Sequence, residues 1–167
     1  MENIILILLD KGIYGSPDCL GDPFYTVQLR LCKGIISFSS ALYLYRYSDR
    51  VPEKIELTFP NGYKNSKLKD QVICHQQLPM LYKLGVTLVK TPQNNKVKVY
   101  SLTRTMAEIV RPQNQVDTEI INKAFKKYAI VPEKNIAKLM YFSSQFRTTD
   151  KVRNYLEVLL YIGYLSE

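Results

Sequence analysis

The chain has 167 residues, of which 46% are hydrophobic and 23% are charged, as in ordinary globular proteins. This length permits a single core, and the composition excludes wholesale disorder. The formal net charge is +8, which favours contact with polyanions or with an acidic protein. Residues 4–9 form the main apolar run, but the run is far shorter than the ~20 residues that cross a bilayer. We therefore expect no membrane association and interpret the run as a buried strand or a helix remnant.

The cysteine and histidine content does not predict a disulfide framework or a metal site. The number of cysteines is odd, and none of the three forms a CxxC pair: Cys19, Cys32 and Cys74. This pattern is typical of reduced thiols in the cytoplasm. The single histidine, His75, follows Cys74 directly. Adjacent side chains of a strand point to opposite faces, so these two residues cannot readily share a metal ion. We expect a cytoplasmic protein without a metal.

Short strands are predicted in the first part of the chain. Residues 54–59 alternate apolar and polar side chains, and residues 60–62 (Pro-Asn-Gly) end this strand with turn residues. Three further segments are predicted as strands: residues 71–78, 86–91 and 96–100. The last two are expected to form a hairpin, because the asparagines between them tolerate a positive φ. One buried helix is predicted before the strands, with Ser39 and Ser40 as its N-cap residues.

Helical spacing of apolar residues begins after residue 101. Pro112 is expected to close the first helix, Asp117 to cap the second and Pro132 to begin the third. The fourth is expected to begin at Thr149 and to stop at Gly163. The predicted fold is therefore α/β (α+β), with a small mixed or antiparallel sheet followed by a C-terminal run of four helices.

One group of residues superficially resembles a nucleotidyltransferase signature, since Gly15-Ser16 is followed by Asp18 and Asp22. In such enzymes two carboxylates on one strand face hold the catalytic metal ions, and this requires a two-residue spacing. The spacing here does not fit, and residues 18–22 are predicted to form a turn because glycine and proline are abundant around them. No phosphate-binding loop or nucleophile motif is present. We expect neither enzyme activity nor a cofactor.

The clearest charge feature lies between residues 123 and 153, where eight basic residues stand against two acidic ones, Glu133 and Asp150. Seven of the basic residues are candidates for binding nucleic acid or a protein partner: Lys123, Lys126, Lys127, Lys134, Lys138, Lys151 and Arg153. Helical spacing predicts Lys134 and Lys138 on one face of the same helix. The alternative is a solvated helix surface with no binding role.

Short motifs spread between residues 12 and 160 resemble the AbiEi-type antitoxins of type IV toxin–antitoxin systems. The motifs include residues 12–14 (Gly-Ile-Tyr), 22–25 (Asp-Pro-Phe-Tyr), 28–30 (Gln-Leu-Arg), 33–34 (Lys-Gly), 41–44 (Ala-Leu-Tyr-Leu), 48–52 (Ser-Asp-Arg-Val-Pro) and 58–63 (Thr-Phe-Pro-Asn-Gly-Tyr). They continue with Arg104-Thr105, Glu108-Ile109, Arg111 and residues 153–160 (Arg-Asn-Tyr-Leu-Glu-Val-Leu-Leu).

The resemblance implies a nucleotidyltransferase-like fold that lacks catalytic residues and a bacterial antiviral role in phage abortive infection. Such a protein opposes a separate nucleotidyltransferase-type toxin, whether or not the two form a stable complex. Family members usually begin with a DNA-binding winged helix that regulates transcription, and residues 11–14 resemble the end of its wing. We therefore expect residues 1–24 to be a remnant of the wing and its linker, and residues 25–167 to be the antitoxin domain.

Two functions remain open on the sequence alone. The first is a non-catalytic antitoxin-like protein, with transcriptional autoregulation as a further role. The second is a basic nucleic-acid-binding regulatory protein that acts through its C-terminal helices. Steep loss of binding with added salt would favour the second, because each phosphate contact releases counterions.

Overall fold

A computed structural model describes residues 7–10, 12–17, 21–64 and 70–164 of the chain. The strands are β1 (Ile7–Asp10), β2 (Ile13–Gly15), β3 (Ile35–Ile36), β4 (Ile55–Pro60), β5 (Val72–Gln77), β6 (Val86–Lys90) and β7 (Lys96–Tyr100). The helices are α1 (Pro23–Arg30), α2 (Phe38–Leu44), α3 (Pro79–Lys83), α4 (Leu102–Ile109), α5 (Thr118–Ile130), α6 (Ile136–Phe146) and α7 (Thr149–Tyr164). The fold is therefore α/β, as predicted.

The described residues separate into two compact units that interleave along the chain. Residues 1–36 and 53–99 belong to the first, or sheet unit, and residues 37–52 and 100–167 belong to the second, or helical unit. The boundary expected between residues 24 and 25 falls inside α1.

The sheet unit contains a five-stranded mixed sheet in the order β5-β4-β3-β7-β6 and a separate antiparallel pair, β1-β2. Strand β3 is antiparallel to β4 and parallel to β7, and β4 is parallel to β5. Ile55, Leu57 and Phe59 of β4 are buried, as the alternating pattern predicts. Gly34 precedes β3 where a Cβ would lie 2.9 Å from the Leu57 side chain and 3.0 Å from the Phe59 ring, so a larger residue would have to displace these buried side chains of β4.

Two polar side chains fix α1 against the sheet. Asp22 is the N-cap residue of α1 and its carboxylate accepts from the backbone N–H of Tyr25 at 3.1 Å. Gln28 donates to the carbonyls of Gly34 and Lys98 and accepts from the Lys98 N–H at 2.6 Å. The amide group of Gln28 thereby satisfies backbone groups that would otherwise be left without partners in a buried region.

The β6-β7 hairpin forms as predicted. Its turn is closed by Thr91, whose N–H donates to the carbonyl of Asn95 at 2.8 Å. Asn94 has a φ of 70°, the left-handed conformation that asparagine tolerates better than most residues. The predicted strand pattern in residues 71–100 is therefore confirmed, with small shifts at the ends.

The helical unit is built around α4. Helix α4 packs against α2, α5 and α6, while α7 packs against α5 and α6. The buried apolar side chains of this unit include Met106, Ile109, Phe125, Leu139 and Leu156. The apolar side chains that give α5 and α7 their helical spacing are mostly buried, although Ile120, Tyr155 and Leu159 are only half-buried. Helix α4 departs from a one-sided stripe, because every residue from Thr103 to Ile109 is buried.

Several predicted helix ends are wrong. Ser37, not Ser39 or Ser40, is the N-cap residue of α2, and its side chain does not cap the N–H groups of the first turn. Pro132 lies in a turn, and Asn135 caps α6 by accepting from the N–H of Lys138 at 2.8 Å. The Asn135 side chain accepts this bond and therefore defines the helix start better than Pro132, which lies three residues earlier.

Other predictions about the elements also need correction. Gly163 lies within α7, which continues to Tyr164. Helices α1 and α3 were not predicted. Residues 7–9 of the apolar N-terminal run do lie in a strand, β1, but Leu8 is 58% exposed, so that strand is not fully buried. The rest of the run, residues 4–6, lies outside the described residues.

Candidate functional site

The seven basic candidates do not lie in equivalent surroundings. Lys123 forms an ion pair of 2.8 Å with Glu119, one helical turn earlier on α5. The hydrogen bond and charge of Glu119 raise the pKa of Lys123, and the nearby carboxylates of Asp49 and Asp117 add to the rise. The Lys123 charge is thus offset locally by acidic neighbours.

Lys127 is held within the helical unit. Its ammonium group donates to the carbonyl of Arg46 and lies 5.1 Å from the centre of the Tyr47 ring. A cation over an aromatic face is stabilised by the negative charge density of that face. These contacts attach α5 to the segment that follows α2, which gives Lys127 a structural role.

The next three candidates are spread over different segments. Lys134 was predicted on a helix with Lys138, but it lies in the turn before α6, where its ammonium group is 3.4 Å from the carbonyl of Val131. Lys138 is exposed on α6. Arg153 lies 3.7 Å from Asp150 in an exposed pair on α7, which contributes little stability.

The last two candidates, Lys126 and Lys151, lie on a groove in the helical unit. The groove has a volume of about 820 Å³ and runs between α5, α7 and the segment after α4. Eight of its lining residues are apolar or aromatic: Ile109, Val110, Pro112, Val116, Ile121, Tyr155, Val158 and Leu159. Arg111 is the third cationic residue that lines the groove. Among the described residues that line it, none is acidic.

Local sequence shapes the wall formed by residues 110–117. Pro112 begins a 3₁₀ turn at the end of α4, and Gln115 then adopts a left-handed conformation with a φ of 50°. The side chain of Asn114 donates to the carbonyl of Glu108 at 2.8 Å and so satisfies a helix-end acceptor. Asp117 caps α5 by accepting from the N–H of Glu119. This connection reverses the chain and places Arg111 and Val116 on the same groove.

Arg111 is positioned by two contacts. Its guanidinium carbon lies 5.8 Å from the centre of the Phe146 ring. With the amide of Gln113 oriented so that its oxygen faces Arg111, that oxygen accepts from Nε at 2.9 Å and from Nη2 at 2.6 Å. A planar guanidinium held in this way presents its remaining donors in a fixed direction.

A buried ion pair lies within α4, in the core of the helical unit. Arg104 is fully buried with its guanidinium carbon 3.2 Å from the centre of the Tyr100 ring, and its Nε lies 3.5 Å from the Glu108 carboxylate. Burial lowers the pKa of Arg104, whereas Glu108 and Tyr100 oppose that shift. The Arg104-Thr105 and Glu108-Ile109 motifs thus lie in the core of the helical unit.

The carboxylates considered for metal binding have other roles. Asp22 is fully buried and accepts from the Thr91 hydroxyl at 2.6 Å and from the Asn95 side chain at 2.8 Å, besides capping α1. Asp18 lies outside the described residues. Asp117 and Glu119 have the two-residue spacing of a metal-binding pair, but they occupy the start of α5, not a strand. No group of three or more potential metal ligands occurs within the described ranges.

His75 and Cys74 lie on β5 in the sheet unit. His75 Nε2 lies 2.8 Å from a carboxylate oxygen of Glu56 on the neighbouring strand β4. Burial raises the pKa of the Cys74 thiol, which lowers its nucleophilicity at neutral pH. This pair of strands therefore offers a His–Glu contact but no activated thiol.

Sequence reasoning identified two of the cationic groove residues, Lys126 and Lys151, within a larger set. It assigned no binding role to Arg111, Asn122 or Asn154, which also line the groove. Arg111 stands directly before Pro112, and a proline disfavours helical conformation in the residue that precedes it. This position could have indicated that Arg111 lies where the chain leaves α4 and turns. Nothing local to Asn122 or Asn154 distinguishes them from solvated helix residues.

These features define an α/β protein whose helical unit carries a basic, mainly apolar groove. A scan against protein-family models finds no match for the chain, and a search of curated proteins finds no significant match either. In the described portion of the chain, no helix combines the length and the hydropathy that a bilayer crossing requires.

Proposed function

We propose that the chain is a non-catalytic, antitoxin-like protein that counteracts a nucleotidyltransferase-type toxin of a type IV, abortive-infection system. The groove of the helical unit is the observation that carries the proposal. Its apolar lining and three cations suit a protein surface that combines apolar and acidic groups. The motifs shared with AbiEi-type antitoxins support the choice of this class of partner. The proposed setting is the bacterial cytoplasm.

The non-catalytic part of the proposal is supported by the position of Asp22. This carboxylate is fully buried and accepts hydrogen bonds from Thr91, Asn95 and the N-terminus of α1, so three of its roughly four acceptor positions are used within the protein. A metal-binding carboxylate needs a lone pair directed at the ion. The residue that most resembles a catalytic aspartate therefore acts as a structural one.

The alternative, nucleic-acid binding through the C-terminal helices, is less well supported. Lys123 pairs with Glu119, Lys127 contacts Arg46 and Tyr47, and Arg153 lies near Asp150. A phosphate would have to compete with these contacts for Lys123 and Lys127, whereas the exposed Arg153–Asp150 pair is weak and offers little competition. Any transcriptional autoregulation would then depend on contacts other than a continuous basic face.

Growth rescue tests the proposed function. The chain is expressed in bacterial cells together with a nucleotidyltransferase-type toxin of a type IV system, and growth is compared with an empty-vector control. We expect the native chain to restore growth. An unfolded variant produced at the same level is the control, because it separates neutralisation from the metabolic load of expression. Toxicity that is unchanged by the native, folded chain would contradict the proposal.

A further inference from the structure

The groove has the dimensions of a short helix. On α7 its lining begins at Lys151 and ends at Leu159, and on α5 it extends from Thr118 to Lys126. Each wall therefore spans eight residue steps, or about 12 Å at 1.5 Å per residue, which matches roughly two turns of a bound helix. Two helical walls at such spacing form the kind of groove into which amphipathic helices pack.

The apolar surface continues beyond the groove along α7. Val158 lines the groove and is 59% exposed, and Tyr161, one turn further along α7, is 68% exposed. Residues three apart on a helix lie on the same side, so these two side chains extend one apolar strip. A ligand that covers both must be longer than the groove itself, which favours a peptide segment over a compact small molecule.

The charged residues of the groove indicate that its ligand carries negative charge. Arg111, Lys126 and Lys151 line the groove, whereas no described lining residue is acidic. The two acidic residues nearest in sequence to α5's lining, Asp117 and Glu119, are engaged in capping the helix and in pairing with Lys123. A partner therefore meets three cations beside an apolar floor, with no acidic residue among the described residues that line the groove.

From this combination we propose that the groove binds an acidic amphipathic helix of a partner protein, with apolar residues at i, i+3 and i+7 facing the floor and Glu or Asp side chains facing the three cations. Nucleic acid fits less well, because a phosphate backbone has no apolar face to cover Val158 and Ile121. The inference rests on the proposed function in taking this groove as the partner-binding site, but its test requires no toxin.

The probe is a labelled synthetic peptide of about four helical turns. It carries Leu at i, i+3 and i+7, which form an apolar face, and Glu at positions on both sides of this face. Two peptides are matched controls: one replaces every Glu with Lys, and the other has the same composition in scrambled order. A labelled single-stranded oligonucleotide of equal charge is the nucleic-acid arm. Binding to the native chain is followed by fluorescence anisotropy, and the contacted residues are mapped by NMR chemical shifts.

We expect saturable binding of the acidic peptide alone, with shifts at Val116, Asn122 and Val158. The double variant K126E/K151E should weaken this binding at least tenfold and should improve binding of the Lys peptide. The control K138E/R153E, which changes the net charge equally outside the groove, should bind like the native chain.

Three results would overturn the inference. The first is the absence of saturable binding of the acidic peptide, and the second is equal binding by the scrambled peptide. The third is tighter binding of the oligonucleotide that depends on Lys126 and Lys151. Peptide binding without growth rescue would leave the inference standing and refute the antitoxin proposal, so the two failures are distinguishable.

Discussion

The carboxylate of Asp22 accepts a hydrogen bond of 2.6 Å from the hydroxyl of Thr91, a residue 69 positions later in the chain. The same oxygen accepts from Asn95, and the other oxygen caps α1. One buried side chain therefore connects the start of α1 to the β6-β7 hairpin. This relationship explains why an aspartate stands here in a protein for which we propose no catalysis.

Replacing Asp22 with Ala is expected to lower the free energy of unfolding by roughly 2 to 4 kcal/mol, because the α1 cap is lost and the buried Thr91 hydroxyl and the part-buried Asn95 side chain lose their acceptor. The protein contains no tryptophan, so urea unfolding is best followed by circular dichroism. The exposed Asp70 provides the matched control D70A, which should change stability by less than about 0.5 kcal/mol. Equal unfolding midpoints for D22A and D70A would contradict the structural role.

Leu156→Ala is expected to destabilise the protein by roughly 2 to 5 kcal/mol, because the change leaves a cavity beneath α7. Leu156 is 5% exposed, whereas Val158 on the same helix is 59% exposed. V158A is therefore the control, with an expected effect close to zero. Similar urea midpoints for the two variants would mean that α7 packs through a different face.

Burial raises the pKa of Tyr45 from 10.0 to about 12. A folded-state pKa above the unfolded value contributes stability that is fully present below pH 10 and is lost as the pH rises through about 12. The urea midpoint should fall over this window, and Tyr45→Phe should make the fall shallower. When phenolate formation is followed by ultraviolet absorbance, Y45F should lack one tyrosine that ionises at high pH in the native chain. An unchanged titration curve would show that Tyr45 ionises like an exposed tyrosine.

The chain is expected not to transfer nucleotides from any nucleoside triphosphate in the presence of Mg²⁺ or Mn²⁺. The reason is that Asp22 is committed to hydrogen bonds within the sheet unit and that the Asp117–Glu119 pair caps a helix. Incorporation of labelled nucleotide into protein or RNA is the measurement, with a protein-free reaction as its blank. Incorporation that D117A or E119A abolishes, without loss of folding, would refute this expectation.

The sequence predicted the elements whose pattern is carried by many residues. The alternation of Ile55, Leu57 and Phe59 identified β4, and the apolar spacing after residue 101 identified four helices. Helix α1 was missed because Asp22 and Pro23 were interpreted as turn residues. The same pair is also an N-cap followed by a proline at the first helical position, and only the residues after it distinguish the two interpretations.

The candidate site was predictable only in part, because charge along the sequence does not show which cations are already paired. Lys123, Lys126 and Lys127 are nearly adjacent on α5, yet their surroundings differ. Lys123 meets Glu119, Lys127 meets Tyr47 and only Lys126 lines the groove. These differences arise from the packing of α5 against other segments of the helical unit, and no local pattern encodes them.

Growth rescue by charge-reversal variants tests the central claim most directly. Cells that express the nucleotidyltransferase-type toxin receive the native chain, K126E/K151E or K138E/R153E, with equal expression and folding verified by circular dichroism. We predict that the native chain and K138E/R153E restore growth and that K126E/K151E does not, because only the last pair removes positive charge from the groove. Full rescue by folded K126E/K151E would contradict the account and place the antitoxin function outside the groove.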